Sequence, residues 1–195
     1  MCPTLLEDAR LYAILLKYDG DLAAEARGLG CVCGGVLHSA RYARKPRGSA
    51  EIAFPEGYDR RDSFCCSEDG CRRRTTPASL RFLGRKVYLG AVVTLVTAMK
   101  HGVSGRRAAA LRAAVGVSRQ TLARWRTWWT EVFVATAFWQ LARAQLSPPV
   151  SVDGLPASLL ERFEGAGTIE GLVRLLDFIK PLTTTRGGEH KSMGR

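Results

Sequence analysis

The placement of the cysteines constrains this chain more than any other feature. One group is Cys31-Val32-Cys33-Gly34-Gly35 and the other is Cys65-Cys66-Ser67-Glu68-Asp69-Gly70-Cys71. A tetrahedral zinc site takes four soft ligands, and two thiolate pairs on facing turns supply them. Glycine directly after Cys33 and directly before Cys71 lets the backbone fold tightly round an ion. Arg72, Arg73 and Arg74 follow at once and offset the charge of four thiolates. The spacing departs from the usual Cys-x-x-Cys, because the first pair is separated by one residue and Cys66 and Cys71 by four. The expected ligand set is Cys31, Cys33, Cys66 and Cys71 with zinc as cofactor. Cys65 can replace Cys66 in that set, and His38 can stand in for one thiolate.

The segment between and around these groups is too small to fold by burial alone. Short β-favouring runs at Val36–Leu37, Glu51–Phe54, Ser63–Cys65 and Arg74–Thr76 alternate with turn residues, the pattern of a small metal-stapled sheet. Thr4 to Leu29 reads as an amphipathic helix with a break at Asp19-Gly20. After Pro77 the periodicity is helical, with helices expected at Arg85–His101, Ser104–Val115, Ser118–Phe133, Phe138–Leu146, Ala157–Glu164 and Thr168–Ile179. The fold class is therefore mainly α with a small β zinc ribbon. The divisions are an N-terminal helical segment (1–30), the knuckle domain (31–77), a helix-turn-helix domain (78–134), a C-terminal helical segment (135–182) and a polar tail (183–195) expected to be disordered.

Charge points to a polyanionic partner. The formal net charge is +11, and 19 of the 29 Lys/Arg but only 6 of the 18 Asp/Glu lie between His38 and Arg126. Cations concentrated in this way favour nucleic acid, because each neutralised phosphate releases condensed counterions. Arg41-Tyr42-Ala43-Arg44-Lys45-Pro46-Arg47-Gly48 is a basic loop between the cysteine groups. It resembles minor-groove hooks built on Pro-Arg-Gly-Arg, with Ser49 in place of the second arginine. Arg44, Lys45 and Arg47 are therefore expected on phosphates and not on bases.

Ser104, Ala108, Leu111 and Val115 fall on one helical face, and Gly116 ends that helix as a left-handed residue would. Ser118 then caps a second helix with Thr121 at its third position, and Val117 and Leu122 form a hydrophobic staple. Leu122, Trp125, Trp129 and Val132 continue the buried stripe. Arg119, Gln120 and Arg124 project from the open side, where arginine suits guanine O6 and N7 and glutamine suits adenine N6 and N7. Arg106, Arg107, Arg112 and Arg126 are placed for phosphate, as are Arg72, Arg73 and Arg74.

Gly116-Val117-Ser118-x-x-Thr121-Leu122-x-Arg124-Trp125 resembles the turn and recognition helix of bacterial transposases and repressors. With the cysteine group ending in Cys71-Arg72-Arg73-Arg74, residues 31–130 resemble the DNA-binding half of insertion-sequence transposases. Arg112 stands where that motif usually has alanine. The resemblance implies double-stranded DNA as partner, with a homodimer or a transposase as a further one.

Those transposases cut DNA with metals held by three carboxylates on a separate sheet. Here about sixty residues follow Phe133, and their periodicity is helical. His38, His101 and His190 are scattered, and no phosphate-binding glycine loop or nucleophile elbow occurs. No catalytic residues are expected, and the reading is a DNA-binding regulator or transposon accessory; a zinc-stapled protein–protein interaction module is the alternative. Glu7 and Asp8 precede the apolar run Leu11–Leu16 where a signal peptide would be positive, and Tyr88–Met99 is too short for a bilayer. A cytoplasmic protein with reduced thiols and no membrane partner is expected.

Overall fold

The computed structural model describes residues 3–44, 53–83, 89–99, 109, 115–163 and 168–184. The chain is mainly helical with a small antiparallel sheet. A short α1 (Pro3–Glu7) leads into α2 (Ala9–Gly28), which Asp8 caps by accepting the Arg10 N–H. The break expected at Asp19-Gly20 does not occur. Leu11, Leu15, Asp19 and Ala23 form one buried stripe at four-residue spacing, so Asp19 points inward and its pairing holds the helix continuous.

Arg81 is that partner. Its Nε stands 2.7 Å from Asp19 Oδ2, and both side chains are 1% exposed. Asp19 also accepts the Leu80 N–H at 2.6 Å and the Ser79 hydroxyl, while Arg81 donates to the Tyr58 carbonyl at 2.7 Å. Asp62 lies 3.5 Å from the far end of Arg81 and binds Arg41 at 2.6 Å. Arg61, equally buried, donates to the Pro77 carbonyl at 2.6 Å. Burial holds its guanidinium below its ordinary pKa. A buried charge without such partners is strongly destabilising, so this network fixes how α2, the 57–62 loop and the 77–83 segment meet.

Five strands follow α2: β1 (Leu37–Ser39), β2 (Tyr42–Ala43), β3 (Arg60–Arg61), β4 (Phe64–Cys66) and β5 (Arg74–Thr75). They form an antiparallel sheet in the order β1-β4-β5 and a separate β2-β3 pair. Three of the expected runs are thus present with shifted ends. The fourth is absent over Ala53–Phe54, its first two residues lying outside the described ones, and the β2-β3 ladder takes its place. In the larger sheet Leu37 faces Cys66, His38 faces Cys65 and Cys65 faces Arg74. Side chains alternate across a strand, so Cys66 shares its face with Leu37 while Cys65 shares the other with His38 and Arg74.

α3 (Gly90–Met99) has no exposed face over residues 91–97: Ala91, Val92, Val93, Leu95 and Val96 are all buried. So are Thr94 and Thr97, and the Thr97 hydroxyl donates to the Val93 carbonyl. A mainly apolar helix buried on every side belongs at the centre of a core. α4 (Arg119–Thr127), α6 (Ala157–Arg162) and α7 (Ile169–Ile179) pack against it. At its start the Gly90 N–H donates to the Arg81 carbonyl at 2.7 Å, and a Cβ there would stand 3.1 Å from both Leu176 Cδ2 and the Leu80 carbonyl oxygen. The helix expected over Ser118–Phe133 is α4 followed by a π-helical segment at Trp128–Phe133. The wider turn keeps Trp125, Trp129 and Phe133 all buried although their spacing is an even four residues. α5 (Ala137–Ala142) runs into a 3₁₀ turn ending at Gln145.

Of the tail expected to be disordered from Thr183, residues 185–195 lie outside the described residues, and Thr183 itself is ordered. Thr183 closes a 3₁₀ turn over Lys180–Thr183, is buried, and its hydroxyl accepts the Ser79 N–H at 2.9 Å. The helix expected at Ser104–Val115 lies almost wholly outside the described residues. Among the described residues, no helix is long and apolar enough to cross a membrane.

Candidate metal centre and basic surface

α2 ends at Gly28, and the chain turns at once into the first knuckle. The Gly34 N–H donates to the Cys31 carbonyl at 2.8 Å and the Cys31 N–H to the Gly35 carbonyl at 3.1 Å, so the two amides close a tight loop round Val32 and Cys33. Gly34 has φ +85°, a conformation that L side chains resist. Gly35 serves differently. A Cβ there would lie 2.6 Å from Cys66 Sγ, 2.7 Å from Glu68 Cγ and 3.4 Å from Cys33 Sγ. The missing side chain is the space in which sulfurs from the two knuckles meet.

The second knuckle leaves β4 at Cys66. The Glu68 carbonyl accepts both the Cys71 and the Arg72 N–H at 2.9 Å, and the Arg73 carbonyl accepts the Cys66 N–H at 3.0 Å. Gly70 was expected to make this turn. Arg72 instead adopts the left-handed conformation, with φ 43°, and its side chain pairs with Asp69.

These turns gather four sulfurs. Cys31 Sγ lies 3.7 Å from Cys71 Sγ, Cys33 Sγ lies 3.4 Å from Cys66 Sγ, and the four ligand atoms are all within 4.8 Å of one another. Zinc–thiolate bonds of about 2.3 Å imply sulfur separations of about 3.8 Å at a tetrahedron's edges. The cluster therefore has the size of a tetrathiolate site. Backbone amides complete it: the N–H groups of Cys33, Glu68 and Arg73 are directed at the sulfurs of Cys31, Cys66 and Cys71, each two residues earlier. Such donors stabilise thiolates.

The thiols hold one another unequally. The Cys33 amide brings Cys31 down to about 7 against the effect of burial. Cys66 receives the Glu68 amide, yet burial and the Cys33 and Cys31 sulfurs push it up to about 12. Cys71 receives the Arg73 amide and is still raised, by Cys33 and by burial. Four thiols this close can all lose their protons only to a cation placed among them, so the cluster could hold a metal ion.

β alternation puts Cys66, and not Cys65, among the gathered sulfurs. Cys65 lies on the opposite face of β4, with its Sγ 3.7 Å from the Arg72 carbonyl, and His38 is exposed on that same face. Neither belongs to the cluster. Beneath the sulfurs lie Ala23 and Ala26 of α2 with Leu37 and Phe64, a small apolar floor separate from the main core.

The basic residues divide. Arg72, Arg73 and Arg74 are exposed beside the second knuckle. Arg44 is half-buried over the Tyr42 ring, 4.6 Å from its centroid. Lys45, Arg47, Arg106, Arg107 and Arg112 lie outside the described residues. Arg61 and Arg81, which the charge pattern counts towards the basic surface, are interior. The signal that could have separated them is Asp19, a carboxylate on an otherwise apolar helical stripe.

At the other end of the basic segment Val115 is helical and buried, and Gly116 has φ +66°. Ser118 accepts the Thr121 N–H at 3.2 Å as the cap of α4. Val117 and Leu122 are half-buried against the core, and Trp125 and Trp129 are anchored within it. Arg119, Gln120 and Arg124 are exposed, and Arg126 is half-buried. No protein-family model matches the chain, and no curated protein or solved structure is significantly similar to it.

Proposed function

We propose that this protein binds double-stranded DNA without catalysing a reaction, as a regulator or transposon-related accessory, and that its four-cysteine centre holds zinc. The observation that carries the reading is the start of α4. A left-handed Gly116 and a Ser118 cap launch a helix whose first exposed side chains are Arg119 and Gln120, with Arg124 farther along and Trp125 on the buried side. A helix anchored by its apolar face and opening on such residues suits a major groove. Arg72, Arg73 and Arg74 add exposed cations beside a rigid knuckle, suited to phosphates. Zinc is favoured over other ions by four thiolates at tetrahedral separation.

The test is a selection of preferred duplex sites followed by salt titrations of variants. Arg119→Ala and Arg124→Ala are expected to cost about 1–3 kcal/mol each and to relax preference at one position. Arg73→Ala is expected to weaken all sequences alike and to reduce the salt slope by about one. Absence of duplex binding at low salt would refute the reading. A second reading, a protein–protein interaction module, draws on Leu29, Val32 and Val36, which are 80%, 83% and 61% exposed around the first knuckle. Binding partners insensitive to the arginine variants but lost in Val32→Asp would favour it.

A further inference from the structure

The four sulfurs differ in their access to solvent. Cys66 is fully buried, Cys31 is 7% exposed, Cys71 is half-buried, and Cys33 alone of the four is exposed. Cys33 also stands 3.4 Å from Cys66 Sγ, closer than Cys31 stands to Cys71 at 3.7 Å. An oxidant-sensitive cysteine needs thiolate character, access and a resolving sulfur within reach. Metal coordination supplies the first, the turn at Val32-Cys33 the second and β4 the third. Gly35 leaves the space between the two knuckles unfilled, so a bond between these sulfurs needs only about 1.4 Å of approach.

We propose that Cys33 is a peroxide-modification site and that its oxidation to a Cys33–Cys66 disulfide ejects the metal. The inference rests on the metal reading of the cluster. The Cys33 thiolate attacks one oxygen of hydrogen peroxide, forming a sulfenic acid and releasing hydroxide. The Cys66 thiolate then attacks the Cys33 sulfur, forming the disulfide and releasing a second hydroxide. Two sulfurs are each oxidised by one electron and the peroxide is reduced by two. The metal departs as a divalent cation, since Cys31 and Cys71 alone make an incomplete set, and a dithiol reductant reverses the change. Cys65, on the opposite face of β4, has no part in the step.

The experiment uses the full chain, purified without chelator, with its metal content measured first. Equimolar hydrogen peroxide is added while a chromophoric chelator reports released metal, and remaining thiols are then alkylated and located by tandem mass spectrometry. Trypsin places Cys31 and Cys33 in one peptide, Gly28–Arg41, Cys65, Cys66 and Cys71 in Asp62–Arg72, and Cys2 in the N-terminal peptide apart from both. The expected result is one ion released per peroxide consumed, a cross-link between Gly28–Arg41 and Asp62–Arg72, and alkylation of Cys2, Cys31, Cys65 and Cys71. Cys65→Ser should release metal at the parental rate, and dithiothreitol with added zinc should restore the loaded protein. Metal-loaded protein that keeps its ion, that joins Cys31 to Cys71 first, or that needs Cys65 for release would overturn this inference alone. Folded protein isolated with no metal, and taking up none, would overturn the metal reading and this inference with it.

Discussion

Gly35→Ala is the sharpest probe of the candidate metal centre, because the added atom has a defined position. Its Cβ would fall 2.6 Å from Cys66 Sγ and 2.7 Å from Glu68 Cγ, where real Cβ contacts essentially never lie below 3.0 Å. The Glu68 side chain is exposed and can swing away. Cys66 cannot, since it is buried, held in β4 by its pairing with Leu37, and tied to three other sulfurs. The strain therefore falls on the sulfur geometry. Overpacking of this kind costs about 1–3 kcal/mol, or about 5- to 150-fold in metal affinity. Gly34→Ala is an informative comparison, with open space round its Cβ but a φ of +85°. It should cost about 1–2 kcal/mol through backbone strain alone. Gly70→Ala meets nothing within 4 Å and should leave affinity unchanged. Competition against a chelator of known affinity, with cobalt as a coloured substitute for zinc, measures all three. If Gly35→Ala binds metal within twofold of the parent, the close approach of the knuckles is not what builds the site.

Three further outcomes are expected. Arg81→Met leaves Asp19 buried without its cation and should cost about 3–5 kcal/mol in denaturant unfolding, whereas a loss below 1 kcal/mol would mean that water replaces the guanidinium. Ser118→Ala removes the cap of α4 and should cost about 1 kcal/mol, read as a lower thermal midpoint with metal content unchanged. Metal affinity should rise with pH, because binding displaces protons from Cys66, whose thiol is pushed up to about 12. It should fall more steeply below about 7, where Cys31 too becomes protonated. Calorimetry in buffers of different ionisation heat reads the protons released, and an affinity independent of pH between 6 and 9 would contradict the coupled thiols.

The sequence determined what is written in local pattern. Two cysteine groups flanked by glycine named candidate ligands, with Cys65 and His38 as alternatives to Cys66 or another thiolate, and Gly116 followed by Ser118 and Thr121 specified a helix end and a helix start. These features are legible because caps, left-handed turns and knuckles are decided by residues a few positions apart. The periodicity of residues 169–179 likewise placed α7 almost to its ends. Tertiary structure decided the rest. Cys66 rather than Cys65 enters the cluster because β4 pairs with β1 in a register that turns Leu37 and Cys66 to the same face, and a shift of one residue would reverse them. Asp19 looked like a helix break, since an acidic residue before glycine is a turn signal in local terms. Its partner Arg81 is 62 residues away, and only the packing of α2 against the 77–83 segment brings the two together. The same packing takes Arg61 and Arg81 out of the basic surface and holds Thr183 against Ser79, because the free energy of a buried polar group depends on partners that sequence spacing does not reveal.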